Sequence, residues 1–394
     1  GFRDLTPAQA RRREHLVGLV AKAFRRHGYG PIETPALEYA EILKGKGGEE
    51  SDKLLYEFQD AGKRQVALRF DLTVPLARYV AEHQGKLVFP FRRYHIGPVW
   101  RAERPQKGRF REFVQCDADL VGAVGEAADA EMLVVMDAAY RALEIGKVTL
   151  RFNDRRVLNG LLENLGATEL AVPTLRALDK LDKQGAEAVQ KEMVEGGLTE
   201  DQASRLLDAT QPGTDDPDTL TSLAHAVRGS ALGEEGVEAL GQVRELALAA
   251  GIDPDRLQVD PRIARGLDYY TGIVFEARFT EAPAFGSVGG GGRYDDLAGL
   301  YTKTALPGVG GSIGIDRLLA ALEESQGTDE AFASADILVA HPGGDRLENA
   351  FALAAGLRAR GFAVEIYPEA KKHAAQMRYA DRRGIRFVFT VDDD

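Results

Sequence analysis

Seven basic side chains crowd one short stretch of a chain whose total charge is negative. Between residues 92 and 116 only two acidic residues accompany them, whereas the whole chain of 394 residues carries a net charge of −11. The basic residues are Arg92, Arg93, Arg101, Arg104, Lys107, Arg109 and Arg111. Such a cluster repels itself unless an anion lies beside it, so we infer an anionic ligand for this stretch.

The residues from 113 to 120 alternate between polar and apolar types, which is the two-residue period of a β-strand. One face would carry Gln115, Asp117 and Asp119, and the other face is apolar and would belong to a core. A solvated antiparallel strand alternates in the same way, and a solvated carboxylate is the favoured interpretation of Asp117. Joined to the basic stretch, the strand favours a site for a ligand with both anionic and cationic parts.

Two glycine-rich segments are further candidates. Four consecutive glycines, Gly289 to Gly292, fall in a predicted strand, where they indicate close approach of a ligand or of another backbone; the alternative is a flexible hairpin tip. The segment Lys44–Glu50 lacks the G-x-x-x-x-G-K-[ST] order, so a flexible loop is favoured over a phosphate cradle. Arg317 falls in the first turn of a predicted helix, a position that an anion beside it would explain.

Helices and strands must position these residues. Thr6–Gln9 has the form of a capping box before an amphipathic helix that Gly28 ends. Short strands are predicted at Ile32–Pro35, Gln65–Phe70 and Ile273–Phe279. Residues 154–255 are helix-like, strand-rich sequence resumes at Arg262, and strands alternate with helices from Ala335 onwards. The length allows two or three domains.

The charge is distributed unevenly along the chain. Nineteen acidic and seven basic side chains fall between residues 157 and 255, a net charge of −12 that accounts for the acidic total. The remainder is nearly neutral, so the total does not argue against binding of nucleic acid outside this segment. We expect the outer face of the acidic segment to make few contacts with nucleic-acid phosphates.

The single cysteine, Cys116, excludes an intramolecular disulfide and a Cys-based zinc site, and its place on the apolar strand face predicts a packed thiol. The sequence contains no apolar run of 18 residues and no signal-peptide pattern, from which we expect a cytoplasmic protein. The first residue is Gly1 rather than methionine, so a preceding portion is compatible with the sequence.

The motifs together resemble those of the class II aminoacyl-tRNA synthetases, and specifically the histidyl-tRNA synthetase family, over nearly the whole chain. Ile32–Pro35, Trp100–Phe113 and Gly308–Leu322 look like the three class II motifs. Arg265–Gly272 and Gly289–Asp295 look like two segments peculiar to the histidine enzymes. The combination is far more specific than any class II motif alone.

This resemblance implies an α+β fold and a domain order. An antiparallel catalytic sheet is expected in two parts, residues 1–153 and 256–330, separated by an acidic helical insertion at 154–255. A C-terminal α/β domain at 335–394 is similar to the family's anticodon-binding domain but is expected to be incomplete, short of about a strand pair and a final helix. The insertion resembles the archaeal and eukaryotic-like branch, and the first motif implies a homodimer.

The activity implied by the resemblance is ATP-dependent activation of L-histidine, followed by transfer of the histidyl group to the 3′ end of tRNA(His). By resemblance, Mg²⁺ is expected to bridge phosphate oxygens of ATP, with few dedicated protein ligands. By resemblance, ATP would contact Arg101, Glu103, Arg109, Arg111 and Arg317. By resemblance, histidine would contact Asp71, Thr73, Arg101, Gln115, Asp119, Arg265, Tyr269 and Tyr270. Arg101 and Arg265 would be the catalytic residues: Arg101 would hold the α-phosphate, and Arg265 would contact the histidine carboxylate and the α-phosphate and stabilise the transition state.

Two functions of other classes remain open. One is a catalytically inactive, synthetase-like regulatory subunit of ATP phosphoribosyltransferase, which lacks the anticodon domain. The other is a binding module for RNA or histidine without turnover. Arg265, the loop arginines and the partial anticodon-like domain favour the enzyme, and histidine-dependent ATP–pyrophosphate exchange separates the three functions.

Replacing Arg265 by alanine should leave the fold intact and slow adenylate formation by at least about 10²-fold, because one preorganised charge stabiliser is lost. ATP–pyrophosphate exchange measures the rate, and thermal unfolding checks the fold. Exchange at the rate of the unmodified protein would refute the role given to Arg265.

Overall fold

The predicted capping box begins the first helix, α1 (Pro7–Arg26). The Gln9 amide donates to Thr6 Oγ1 at 3.3 Å, and the Thr6 amide donates to Gln9 Oε1 at 3.0 Å. Leu16, Val20 and Phe24 are buried along one stripe of this helix. Gly28 follows the helix with φ +81°, the left-handed conformation that glycine adopts without a Cβ penalty. The start and the end of α1 are therefore as predicted.

The computed structural model describes residues 1–44, 53–104, 107–264, 269–327 and 335–391. The chain divides into two compact units, one of residues 1–2 and 16–325 and the other of residues 3–15 and 326–394. Most of the predicted loop at Lys44–Glu50, together with Arg265, lies outside the described residues. Within the part of the chain that is described, no helix has the length and apolarity needed to cross a membrane.

The first unit contains eleven described strands and most of the helices. The strands are β1 (Gly30–Pro31), β2 (Leu37–Tyr39), β3 (Tyr56–Gln59), β4 (Gln65–Leu68), β5 (Phe91–Trp100), β6 (Glu112–Val121), β7 (Val148–Asp154), β8 (Leu257–Val259), β9 (Ile273–Phe279), β10 (Ser287–Tyr294) and β11 (Gly308–Gly314). The helices after α1 are α2 (Ala40–Leu43), α3 (Thr73–His83), α4 (Glu126–Ala142), α5 (Arg155–Asn164), α6 (Ala171–Leu178), α7 (Leu181–Gln184), α8 (Ala186–Glu195), α9 (Glu200–Ala209), α10 (Asp216–Ala226), α11 (Ala231–Ala249) and α12 (Ile315–Gln326).

Eight of these strands form one sheet in the order β1-β5-β6-β11-β10-β9-β7-β8. Its inner pairs are antiparallel, and only the outermost pairs, β1 with β5 and β7 with β8, are parallel. Strands β2, β4 and β3 form a second, antiparallel sheet. The predicted α+β fold with an antiparallel catalytic sheet is confirmed.

Three strand boundaries differ from those predicted, and the strand expected at Gln65–Phe70 ends two residues earlier, at Leu68. The strand expected at Ile32–Pro35 lies at Gly30–Pro31, and the Ile32 amide adds one more hydrogen bond, to the Tyr94 carbonyl at 3.0 Å. Beyond it, Arg69 Nη1 donates a hydrogen bond to the Thr34 carbonyl at 2.7 Å, and the described residues between Thr34 and β2 lie in no strand. Strand structure after the helical segment resumes at β8, before the predicted Arg262, because β8 pairs in parallel with β7.

The two faces of the large sheet differ as the alternation of β6 predicts. Cys116, Ala118 and Leu120 lie in the main core, together with apolar residues of α4 and α11. The thiol of Cys116 is fully buried, which confirms the predicted packed cysteine. The polar residues of β6 lie on the other face, which carries the cavity described below.

The four glycines lie in the middle of β10, so the hairpin-tip alternative is wrong. A Cβ placed on Gly291 would come within 2.0 Å of the Gly310 carbonyl oxygen on the neighbouring strand. Backbone cannot yield by that amount, so glycine is required for β10 and β11 to pair. The predicted close approach of another backbone is confirmed.

An ionic cluster joins the helical segment to the sheet. Asp182 on α7 accepts hydrogen bonds from Arg151 of β7 at 3.0 Å and from Arg278 of β9. Arg151 also bonds Asp260 and, at 3.1 Å, Glu276. Burial alone would raise the pKa of Asp182, but the hydrogen bond from Arg151 and the nearby arginine charges lower it below its usual value. The carboxylate therefore stays ionised and fixes α7 to the sheet.

The second unit contains a small parallel sheet. Its elements are β12 (Ile337–Ala340), α13 (Arg346–Ala359), β13 (Val364–Ile366), α14 (His373–Arg382) and β14 (Phe387–Thr390). The strand order is β13-β12-β14, with both neighbours parallel to the central strand. The alternation of strands and helices predicted from Ala335 onwards is confirmed.

Gly160→Ala should lower the free energy of unfolding by about 1–3 kcal/mol, because α5 and α11 pack through glycines. A Cβ on Gly160 would lie 2.5 Å from Gly233 Cα and 2.8 Å from its nitrogen. Gly241→Ala, within α11, is the matched control: no atom lies within 4 Å of its added Cβ, so helix propensity should raise stability by up to about 1 kcal/mol. Urea unfolding measures both, and equal effects would contradict the tight contact.

Candidate active site

The polar face of the large sheet forms the floor of a cavity of about 370 Å³. Strands β6, β10 and β11 supply the floor, and residues preceding and beginning α3 supply one wall. Nine residues predicted to bind ligands line it: Asp71, Thr73, Arg101, Glu103, Arg109, Gln115, Tyr269, Tyr270 and Arg317. The structure thus brings together residues separated by almost 250 positions in the sequence.

The basic side of the cavity is held in place by neighbouring groups. Arg101 Nε donates to the Phe70 carbonyl at 2.9 Å, and its guanidinium carbon lies 5.2 Å from the centre of the Phe113 ring. Arg109 and Glu103 form a half-buried pair, with Nη1 and Oε2 3.5 Å apart. Planar, permanently charged donors of this kind suit phosphate and carboxylate groups.

Arg317 reaches the same cavity from α12, which follows β11 directly. Its Nη1 donates to the Ser287 carbonyl at 2.6 Å, which holds the side chain beside the glycines of β10. An arginine in the first turn of a helix, facing a cavity with other arginines, fits the predicted anion site.

On the opposite side, buried acceptors face the cavity. Asp71 is only 3% exposed; its Oδ1 accepts from the Val74 amide at 3.1 Å, and its Oδ2 has no hydrogen-bond partner among the described residues. Burial raises the pKa of Asp71 to about 6, against the lowering effect of that amide and of Arg101. Tyr269 forms a side-chain hydrogen bond with Thr73, and burial raises the pKa of this tyrosine.

Gln115 lies on the cavity floor with one of its two functional atoms in use. Its Nε2 donates to Ser312 Oγ on β11 at 2.8 Å, so the amide nitrogen is fixed. Its Oε1 is buried and lacks a partner within the described parts of the chain. The fixed amide therefore presents an acceptor to a ligand.

Asp119 is buried behind the cavity and does not line it. Its carboxylate is 2.6 Å from Arg93 Nη2 and accepts a hydrogen bond from the Tyr294 hydroxyl at 2.5 Å. Burial raises the pKa of Asp119, and the Arg93 charge opposes that shift. The contact between Asp119 and histidine remains a prediction. In that contact, the carboxylate would have to accept hydrogen bonds from both Tyr294 and the ligand.

The expectation that Asp117 is a solvated carboxylate is wrong. The side chain is 2% exposed, because β5, β11 and the segment before α3 enclose this face of β6. Burial raises the pKa of Asp117 to about 7, although the Arg93 charge opposes the shift. Asp117 lines the cavity, and its Oδ1 lacks a hydrogen-bond partner among the described residues.

Arg111 is not among the described residues that line the cavity. Arg111 donates from Nε to the Glu103 carbonyl at 3.3 Å and so braces the loop from behind. Arg265 lies outside the described residues. His95, the histidine nearest to the site in sequence, is buried away from the cavity, and burial lowers its pKa to about 3.

Sequence reasoning missed several residues. Asp117 was on the correct face by alternation, but the pattern could not show that the face is covered. Ser312 lies opposite Asp117 in the register of β6 and β11, which no sequence pattern specifies. Asp179, after α6, also lines the cavity, and we find no signal for it in the sequence.

The antiparallel sheet brings two arginines to one cavity: Arg101, from the second-motif segment between β5 and β6, and Arg317, from the helix that follows β11. This arrangement is the catalytic fold of a class II aminoacyl-tRNA synthetase. The chain belongs, within that class, to the histidyl-tRNA synthetase family. A family model described as histidyl-tRNA synthetase matches residues 1–318, and one described as anticodon binding domain matches residues 336–394.

Individual relatives agree with this assignment. A histidine–tRNA ligase of Rhodopirellula baltica is 49% identical over 386 residues, which cover 98% of this chain and 87% of the relative. One of Wolinella succinogenes is 42% identical and covers the whole chain and 90% of the relative. The crystal structure of a histidyl-tRNA synthetase from a Nostoc species is 31% identical and superposes with a TM-score of 0.87, covering 98% of this chain and 89% of that one.

Because the pKa of Asp117 is raised, its stabilising contribution is complete below about pH 4 and is lost as the pH rises through about 7. The unmodified protein should therefore lose stability relative to Asp117→Asn as the pH rises. The difference in free energy of unfolding, variant minus unmodified protein, should increase by at least about 1 kcal/mol between pH 5 and pH 8. Urea unfolding without ligands measures this difference. Asp60→Asn is the control, since the hydrogen bond from Arg64 lowers the pKa of Asp60. A constant difference for Asp117→Asn would contradict the raised pKa.

Proposed function

We propose that this chain activates L-histidine with ATP and transfers the histidyl group to the 3′ end of tRNA(His). One observation carries the proposal: a single cavity joins half-buried arginines to buried acceptors without partners among the described residues. An amino acid brings an ammonium group and a carboxylate, and ATP brings phosphates, so the two substrates together match both sides of the cavity.

In the first step the histidine carboxylate attacks the α-phosphorus of ATP in line, and pyrophosphate leaves. The carboxylate is already nucleophilic, so the protein's contribution is to position both substrates and to stabilise phosphoryl charge. We assign the α-phosphate to Arg101, whose stacking on Phe113 and bond to the Phe70 carbonyl fix it before substrate binds. Arg317 would hold the distal phosphates, and Arg265 would meet the reacting groups.

In the second step the ribose hydroxyl at the end of tRNA attacks the adenylate carbonyl, and AMP leaves. Arg109 lies on the loop between β5 and β6 and lines the cavity, and we assign it to the end of the tRNA. Mg²⁺ would enter with ATP and offset phosphate charge, because this ion is held mainly by water and substrate phosphates.

The regulatory-subunit alternative has weaker support. A structure described as an ATP phosphoribosyltransferase regulatory subunit or histidyl-tRNA synthetase, from Bacillus halodurans C, superposes with a TM-score of 0.82 but is 23% identical, a likeness of fold alone. The cavity arginines and the match to an anticodon-binding domain favour the ligase. A homodimer, a cytoplasmic location and the archaeal-like branch remain predictions.

The test is ATP–pyrophosphate exchange with and without histidine. Exchange should require histidine, and Arg101→Ala should lower kcat/KM by at least about 10²-fold because a preorganised contact to the reacting phosphate is lost. Arg141→Ala, an exposed arginine of α4, is the matched control and should keep full activity. If the protein is well folded but shows no histidine-dependent exchange, the proposed ligase function is wrong and the regulatory-subunit function is favoured.

A further inference from the structure

Three buried oxygen acceptors point to one part of the ligand. Asp71 Oδ2, Gln115 Oε1 and Asp117 Oδ1 are all buried, and none has a hydrogen-bond partner among the described residues. All three side chains line the same cavity, and they are only 3%, 8% and 2% exposed. Buried acceptors are nearly always paired in folded proteins, so an arrangement of three indicates a donor supplied by the ligand.

The charge of these groups defines the donor. Asp71 and Asp117 are close enough to affect each other's ionisation, and each is a buried carboxylate. Two such groups side by side are costly unless a cation lies between them. A protonated primary amine has one positive charge and three N–H donors, one for each of the three acceptors.

Among the described residues, no cation is hydrogen-bonded to Asp117. The Arg93 charge opposes the rise in the pKa of Asp117, but Arg93 Nη2 contacts Asp119 at 2.6 Å and donates to the Leu72 carbonyl at 3.2 Å. The other two nitrogens of the Arg93 guanidinium are buried without a hydrogen-bond partner among the described residues. His95, paired with Asp117 in the sheet register, is neutral because burial lowers its pKa to about 3. Arg69 is bonded to the carbonyls of Thr34 and Pro98. Ser312 on β11 bonds the Asp117 carboxylate but carries no charge.

We propose that Asp117 binds the α-ammonium group of the amino-acid substrate directly, as a third acceptor beside Asp71 and Gln115. This assignment rests on the proposed function, since it concerns the amino acid that the enzyme activates. It gives the ammonium group two carboxylates and an amide oxygen, all three of them buried. The site would then discriminate against a ligand that lacks the amine, because such a ligand would leave all three acceptors unpaired.

The imidazole of histidine is a poorer match for these acceptors. A neutral imidazole has one N–H donor, and its second ring nitrogen is itself an acceptor. It could satisfy only one of the three oxygens and would place a lone pair near the others. The imidazole would instead suit Tyr270 and the side of the cavity towards Asp119, as the family resemblance implies.

A ligand pair that differs only in the amine tests the proposal. Binding of L-histidine and of 3-(imidazol-4-yl)propanoate, which lacks the α-amino group, would be measured by calorimetry at pH 8 with the full chain. Asp117→Asn keeps the size of the side chain and removes its charge. It should weaken histidine binding by about tenfold or more and change binding of the des-amino ligand by less than about twofold.

Asp71→Asn is the positive control. It should also weaken histidine binding while leaving binding of the des-amino ligand nearly unchanged, because Asp71 faces the same amine. Asp117→Ser is the second variant, in case the asparagine variant does not fold, and should discriminate between the ligands in the same direction. Equal losses for both ligands would overturn the proposal and assign Asp117 to the imidazole or to the fold. Unchanged histidine binding would also overturn it.

Different results would contradict the proposed function and the role of Asp117. If the unmodified protein neither binds histidine nor catalyses histidine-dependent exchange, the proposed function is wrong. If the unmodified protein binds and activates histidine but the Asp117 variants bind it equally well, the function stands and only the role of Asp117 is wrong.

Discussion

The buried ion pair of Arg93 and Asp119 is the interaction on which the rest of the site depends. Both side chains are almost completely buried, with the charged atoms 2.6 Å apart. Arg93 also binds the Leu72 carbonyl just before α3, and Asp119 accepts from Tyr294 at the end of β10. The pair therefore joins β5, β6, β10 and the segment carrying Asp71. Removing one partner of such a pair typically costs about 3–5 kcal/mol, because the other charge stays buried.

The glycines of β10 and β11 complete this arrangement by leaving space. A Cβ on Gly310 would lie 2.0 Å from the Asp119 carboxylate, so that carboxylate can occupy its position only beside a glycine. Gly291 allows the two strands to approach, as described above. A strand without side chains is poor at packing a core, but it provides a flat cavity floor. The fold accepts the entropic cost of glycine where a neighbouring strand or a buried carboxylate must approach the backbone closely.

Much of this architecture could be predicted because it is local. The capping box of α1, the alternation of β6 and the strand–helix order after Ala335 depend on neighbours in sequence. The burial of Asp117 depends instead on β5 and β11, which pair with β6 from opposite sides, and on the segment before α3. No periodicity in residues 113–120 carries that information. The same holds for Tyr294, whose bond to Asp119 spans 175 positions.

The depth of each group explains how one cavity can accommodate ligand groups of opposite charge. The carboxylates lie at the sheet, where low dielectric strengthens an ion pair with a ligand and penalises an unpaired one. Arg101, Arg109 and Arg317 are half-buried, so water would weaken any contact that they make with a phosphate. In the proposed function, the amino-acid end would therefore discriminate between ligands more strongly than the phosphate end, from which pyrophosphate and AMP would have to leave within each cycle.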